Sequence, residues 1–212
     1  MNGTYIFSTQ TQVESKPLLQ KKRIGIFGGT FNPPHIGQLV LAECVGKQLG
    51  VEKVYWMPNS QPVDGTHASA IEPSYRAQLV KSAIMGNPFF DIELIEIRNG
   101  GQSYTYQTMR ELVESHPENE YYFIVGAEKV KKMQSWDYID ELTQLVKFAV
   151  GVRDGQKKQL NFPALWFDVP DIRISSSDIR TRLRLKQSIN YLVPEREAYF
   201  IQEYNLYRGL YD

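Results

Sequence analysis

Cysteine is almost missing from this chain. Cys44 is the only one in 212 residues, so no disulfide can form within it. A small core thiol in a reducing compartment is the expected role for that residue. Excess charge of either sign is missing too. The 24 basic and 24 acidic side chains cancel, which removes any general case for nucleic acid or a membrane surface as partner. An anion site must then be a local gathering of donors. No apolar run is long enough to span a bilayer. Met1 to Gln20 lacks both a basic n-region and an apolar h-region, which argues against a secretory signal. Those residues read as a polar leader ahead of a single domain spanning 21–212. Internal repeats and low-complexity segments are also absent.

What is present is an ordinary globular profile, 42% hydrophobic and 23% charged. Strand-like runs alternate with helical patterns. Ile24–Phe27, Lys53–Met57, Ile92–Ile97, Tyr121–Val125, Lys147–Val152 and Leu165–Val169 read as strands. Ile36–Leu49, Ser74–Met85, Thr105–Ser115, Lys129–Met133, Tyr138–Leu145, Ser177–Leu185 and Glu195–Tyr204 read as helices. Ser74 is a candidate N-cap, and Pro58–Ile71 reads as a polar loop. Apolar strands alternating with amphipathic helices predict an α/β fold, a mostly parallel Rossmann-like sheet with helices on both faces. Ligands of such folds bind at the carboxyl ends of the strands. The turn at Gly28–His35, the Pro58 loop, the Gly126 loop and the segment after Val169 all leave such ends.

The first of these turns runs Gly28-Gly29-Thr30-Phe31-Asn32-Pro33-Pro34-His35-Ile36-Gly37-Gln38. A strand precedes it and an apolar-periodic helix follows. A helix start aims backbone N–H groups and a positive dipole end at one point, which suits phosphate. His35 and Gln38, three residues apart, then share a helix face. The same residues also fit a tight glycine turn, its glycines at positive φ, with a capping histidine. His67 and His116 read as exposed loop residues.

A second candidate is Ile174-Ser175-Ser176-Ser177-Asp178-Ile179-Arg180. Ser175 or Ser176 is a natural N-cap, and Ser175 with Asp178 matches a capping box. Hydroxyls and free N–H groups at a helix start, with a guanidinium one turn on, would grip phosphate oxygens. Plain capping, with Arg173, Arg180, Arg182 and Arg184 as a solvated basic face, accounts for the same residues.

Together the two segments resemble the nucleotidyltransferase superfamily. Within it the chain is most similar to bacterial nicotinate-nucleotide adenylyltransferases. Gly101-Gln102-Ser103-Tyr104-Thr105 resembles that family's Gly-x-Ser-Tyr-Thr motif. Val125-Gly126-Ala127-Glu128 followed by Trp136 resembles its Gly-Ala-Asp segment and ring-stacking tryptophan, and Tyr191-Leu192-Val193-Pro194 its last helix entry. The resemblance runs from about Lys22 to about Tyr207.

It implies that a phosphate attacks the α-phosphate of ATP and releases pyrophosphate, joining ATP and nicotinate mononucleotide into deamido-NAD in the cytoplasm. His35, Gln38 and Arg180 would carry the chemistry. Gly28, Gly29, Thr30, Phe31, Gly37, Gly126, Glu128, Ser176, Ser177 and Ile179 would join His35 and Arg180 in holding ATP. Tyr104, Thr105 and Trp136 would hold the mononucleotide. Trp136 equally suits a core position, and Thr105 a plain N-cap. Mg²⁺ would ride mainly on the substrate phosphates. A homodimer is admitted.

The chain departs from the family pattern at several positions. Gln38 stands where the family has a second histidine. Val63-Asp64-Gly65 stands where it has Pro-His-Lys, and Glu128 replaces an aspartate. Lys129, Lys131 or Lys132 is then the candidate replacement cation. The departures leave two further readings open: a non-catalytic nucleotide-binding relative, and an adenylyltransferase for the amide form of the mononucleotide.

Overall fold

Burial on both faces organises the sheet. In β1, Lys22–Gly29, Ile24 and Ile26 enter one core while Phe27 enters the other. In β6, Asn119–Gly126, Tyr121, Phe123 and Val125 face the first core, and Tyr122 and Ile124 the second. The period of two places every residue of such a strand against a covering layer, so these strands read as unbroken apolar runs. The computed structural model describes residues 21–62, 70–153 and 159–207. The expected leader, Asp64, Gly65 and His67 lie outside them.

The remaining main-sheet strands are β2, Lys53–Pro58, β4, Phe90–Ile92, β7, Lys147–Val152, and β8, Ala164–Asp168. All pairings are parallel, in the order β4-β2-β1-β6-β7-β8. The chain winds outward from β1 in one direction, then restarts at β6 in the other. The crevice between β1 and β6 is the switch point where such sheets take ligands.

One core packs under α4, Thr105–Ser115, α5, Val130–Met133, and α6, Ile139–Leu145. The other packs under α1, Ile36–Leu49, and part of α2, Pro73–Ile84. A third cluster joins α2 through Leu79 to α7, Ser176–Arg184, and α8, Glu195–Glu203.

The expected elements recur with ends shifted by a residue or two, and four expectations change. Ile92–Ile97 is not a strand. β4 ends at Ile92, and Ile95–Asn99 forms a short helix, α3. The alternation of apolar residues suggested a strand, but local hydrogen bonds favour a turn of helix. The Glu93 carboxylate accepts from the Ile95 N–H at 2.9 Å and from Arg98 at 2.9 Å. The Pro58–Ile71 loop holds a two-residue strand, β3, Gln61–Pro62, paired with β5, Gln102–Ser103. Ser74 is not a cap, because Pro73 already opens α2. Cys44 lies half-buried at the margin of the second core rather than within it.

The glycine pair also has a different cause from the one its position suggests. Neither Gly28 nor Gly29 has positive φ; Phe31 does, at 49°. The glycines are strand residues with no room for a side chain. A Cβ on Gly28 would sit 2.8 Å from the Phe123 ring, and one on Gly29 would sit 3.0 Å from the Phe31 ring. Gly28→Ala should therefore overpack the core and lower unfolding free energy by about 1–3 kcal/mol in a denaturant titration. An unchanged midpoint would show that Phe123 has room to yield.

Candidate active site

The turn after β1 is held open by donors from two helices. Arg76 of α2 donates to Thr30 O at 2.9 Å. Arg180 of α7 donates to Asn32 O at 2.8 Å, and the Ser176 hydroxyl to Pro33 O at 2.7 Å. The Asn32–Pro33 peptide bond between them is cis. Three carbonyls of one short turn thus have partners far away in sequence. The early and late motifs, 140 or so residues apart, meet here.

His35 is the N-cap of α1, and its side chain is buried. Its Nδ1 accepts from Gln38 N–H at 3.3 Å, while Gln38 Oε1 accepts from His35 N–H at 3.2 Å. This reciprocal capping box explains the three-residue spacing. It also fixes the imidazole chemistry. With Nδ1 an acceptor, the neutral ring carries its proton on Nε2 and can donate from there. Burial, with Arg153 nearby, pushes the His35 pKa down to about 4, against a smaller upward pull from Asp178. Near neutral pH His35 is an uncharged donor.

Two amides of the expected α1 cradle are already taken. Ile36 N–H already donates to Leu192 O at 3.0 Å, and Gln38 N–H serves the His35 cap. The start of α7 offers more. Ser175 caps it, accepting from Asp178 N–H at 3.1 Å. The Asp178 carboxylate accepts from the Ser175 hydroxyl at 2.7 Å instead of completing a capping box. Ser177 is exposed there.

Other expected residues divide. Gly37 packs α1 closely against Ile172, whose carbonyl would lie 3.2 Å from a Cβ. The rings of Phe31 and the side chain of Ile179 are 2% and 0% exposed, so only their backbones can face a nucleotide. Phe31 belongs to an aromatic cluster with Phe27 and Trp56. The Glu128 carboxylate folds over Gly126, at the mouth of the crevice. Lys129 reaches across that crevice to Gly28 O at 3.2 Å, whereas Lys131 and Lys132 are exposed. Trp136 is half-buried, edge-on to Phe123 at 6.2 Å. Thr105 is the first residue of α4 and Tyr104 its N-cap, with no side chain capping the helix. His116 is exposed.

Three residues at the site gave no clear signal in the sequence. Arg76 is 1% exposed and makes four hydrogen bonds. Burial lowers its pKa to about 10, which leaves it charged at neutral pH. Its only signal is a position one turn before Leu79 and Val80 on a buried helix face. Arg153 follows β7 at its carboxyl end and pairs with Asp171 at 3.5 Å. The rule that ligands sit at strand ends covers this position, although the strand ends singled out in the sequence did not include it. Asn59, after β2, donates to Thr30 Oγ1 at 3.3 Å.

A six-stranded parallel sheet whose early turn and late helix start meet at its switch point defines a nucleotidyltransferase-like α/β protein. The cytidylyltransferase-like family model matches residues 26–182. A protein named "Probable nicotinate-nucleotide adenylyltransferase" from Lactiplantibacillus plantarum is 43% identical over 200 residues, covering 94% of this chain and 95% of its own length. The Bacillus subtilis protein named "Nicotinate-nucleotide adenylyltransferase" is 37% identical over 188 residues, covering 89% of this chain and all of the other. The chain belongs to the nicotinate-nucleotide adenylyltransferase family. In fold it is similar to the Plasmodium falciparum nicotinic acid mononucleotide adenylyltransferase solved with APC. That match has a TM-score of 0.73 at 21% identity and covers 88% of this chain and 97% of the other.

The buried neutral histidine makes stability depend on pH. Its folded pKa lies below the ordinary value of 6.5, so its contribution is complete above about pH 6.5 and fades as pH falls toward 4. Relative to His35→Asn, which keeps a capping side chain, the wild type should lose up to about 3 kcal/mol over that interval. Paired denaturant titrations at each pH measure this difference. A difference that does not vary with pH would mean that the imidazole is solvated.

Proposed function

We propose that the chain transfers the adenylyl group of ATP to nicotinate mononucleotide, giving deamido-NAD and pyrophosphate. The observation that carries this proposal is the meeting of His35, Ser176 and Arg180 on one turn, at the switch point of the sheet. The names of the relatives agree with it. The 5′-phosphate of the mononucleotide attacks the α-phosphorus of ATP. A P–O bond forms there as the bond to the β-phosphate oxygen breaks, and the electron pair leaves with pyrophosphate. The attacking phosphate is already anionic, so no protein base is needed. Catalysis is then positioning and charge stabilisation.

His35 donates from Nε2 to a phosphate oxygen. Gln38 gives its carbonyl oxygen to the helix cap and keeps its NH₂ group for a phosphate. Arg180 and the α7 start hold the triphosphate, and Lys129 supplies the cation that Gly65 does not. Mg²⁺ belongs to this proposal as an ion carried on the substrate phosphates, where it neutralises charge. Among the described residues no three His, Cys, Asp or Glu side chains gather to hold a metal.

The acid form of the mononucleotide is favoured over the amide because Tyr104 leaves the start of α4 without a side-chain cap. A helix start of that kind attracts a carboxylate and has no such preference for a neutral amide. Trp136 would stack on the pyridine ring. The proposal places the reaction in the cytoplasm.

Pyrophosphate release with ATP, Mg²⁺ and each mononucleotide tests this. Turnover should be seen, faster with the acid. None at high enzyme concentration would refute catalysis and leave a nucleotide-binding relative. Arg180→Ala should lower kcat/KM by about 100-fold or more, the usual loss when one transition-state donor is removed. Gln38→His should raise kcat; a fall would show that the glutamine is suited to this site.

A further inference from the structure

Two buried side chains of opposite charge have no direct role in the chemistry above. Arg76 lies in α2 and Glu96 in α3, and they are 1% and 5% exposed. Burying a charge is costly unless it is fully hydrogen-bonded, so each needs a structural explanation. Both are bonded, and their bonds are joined through Ser60 and Ser103.

Starting from the mononucleotide side, the Glu96 carboxylate is hydrogen-bonded by the hydroxyl of Ser103, while the neighbouring Thr108 hydroxyl donates to Tyr104 O at 3.3 Å. Ser103 directly precedes Tyr104 and Thr105 at the start of α4. Its Oγ also accepts from Ser60 N–H at 2.9 Å. The hydroxyl is therefore used in both directions, accepting from Ser60 and donating to Glu96. Ser60 O in turn accepts from Arg76 Nη2 at 2.6 Å. Arg76 Nη1 donates to Thr30 O and to Asn59 Oδ1, at 2.9 and 3.0 Å. Its Nε donates to Ile71 O at 3.1 Å. The ladder between β3 and β5 runs alongside, pairing Gln61 with Gln102.

The result is a continuous line of hydrogen bonds: Glu96, Ser103, Ser60, Arg76, Thr30. One end fixes the turn that opens α4 and the other fixes the turn that meets Arg180 and Ser176. Main-chain groups of Ser60 carry both middle links, so a shift at either end moves the other. Such charge-assisted chains are worth more than isolated bonds in a dry interior.

We propose that Glu96 and Arg76 are positioning residues that set the spacing between the two substrates. The inference rests on the function proposed above, since it assigns the α4 start to the mononucleotide and the Thr30 turn to ATP. Neither residue touches a reactant. They act by fixing where the attacking phosphate stands relative to the α-phosphorus, where small displacements are costly in rate.

Rate, binding and amide exchange on the intact protein test this. Glu96→Ala and the gentler Ser103→Ala should each lower kcat by about 10- to 100-fold. Dissociation constants for ATP alone and nicotinate mononucleotide alone, read by calorimetry, should stay within about 3-fold of wild type. Glu96→Gln, which keeps an acceptor oxygen, should recover most of kcat. In both alanine variants the Ser60 amide should exchange faster while amides of the β1–β6 ladder keep their protection. A rise in KM with kcat intact would overturn the proposal. So would an unchanged Ser60 exchange rate in Glu96→Ala, or failure of Glu96→Gln to rescue. If the wild type turns over no pyridine mononucleotide, the functional proposal fails, and the Ser60 exchange rate alone then decides whether the line of bonds exists. Should Glu96→Ala not fold, Ser103→Ala carries every readout.

Discussion

The row of main-chain carbonyls at Thr30, Asn32 and Pro33 is the constraint on which the site depends. A turn between a parallel strand and its helix has few internal hydrogen bonds of its own. Here each of these carbonyls is claimed by a donor from another helix, Arg76 from α2 and Arg180 and Ser176 from α7. The turn cannot relax without breaking charge-assisted bonds in a partly dry setting. Because α7 belongs to the third hydrophobic cluster, the packing of Ile179 and Leu183 sets where Arg180 can reach. Packing energy in the C-terminal helices is thereby converted into the placement of a guanidinium beside the ligand crevice.

The electrostatics follow from the same arrangement. His35 gains a fixed tautomer and loses its charge, because its cap bond and its burial both favour the neutral ring. Formal positive charge near the crevice comes instead from Arg180, Lys129 and Arg153. A site of this kind has fixed donors that need not reorganise as charge develops, the condition under which electrostatic stabilisation is most effective. Gln38 serves that logic as a structural partner of His35 before it serves as a donor.

The fold was legible in the sequence wherever local pattern and tertiary burial agree. β1, β6 and β7 are apolar on both faces because both faces are covered, and α1 ends at Gly50, whose φ of 65° suits glycine. Legibility failed where side-chain bonds to the nearby backbone, or long-range contacts, decide. An alternating run at Ile92–Ile97 became helix α3 because Glu93 bonds to Ile95 and Arg98. Gly28 and Gly29 looked like turn glycines and are packing glycines, which only the distant Phe123 and the buried Phe31 ring could reveal. The site was half legible. His35, Ser176 and Arg180 stand in recognisable motifs, but their meeting on one turn depends on strand order. Arg76 and Glu96 could not be told from surface charges, since their partners are main-chain groups, a hydroxyl and the Asn59 amide, brought together from separate loops.

The account stands or falls on the grip of α7 on the Asn32–Pro33 turn. Calorimetric titration of a non-hydrolysable ATP analogue into Ser176→Ala is the most direct test, because it removes one hydroxyl and leaves the guanidinium in place. The turn should loosen, affinity should fall by about 10-fold and unfolding free energy by about 1 kcal/mol, the weight of one partly buried hydrogen bond. Wild-type affinity in that variant would contradict the account, since nucleotide binding would then not depend on how the turn is held.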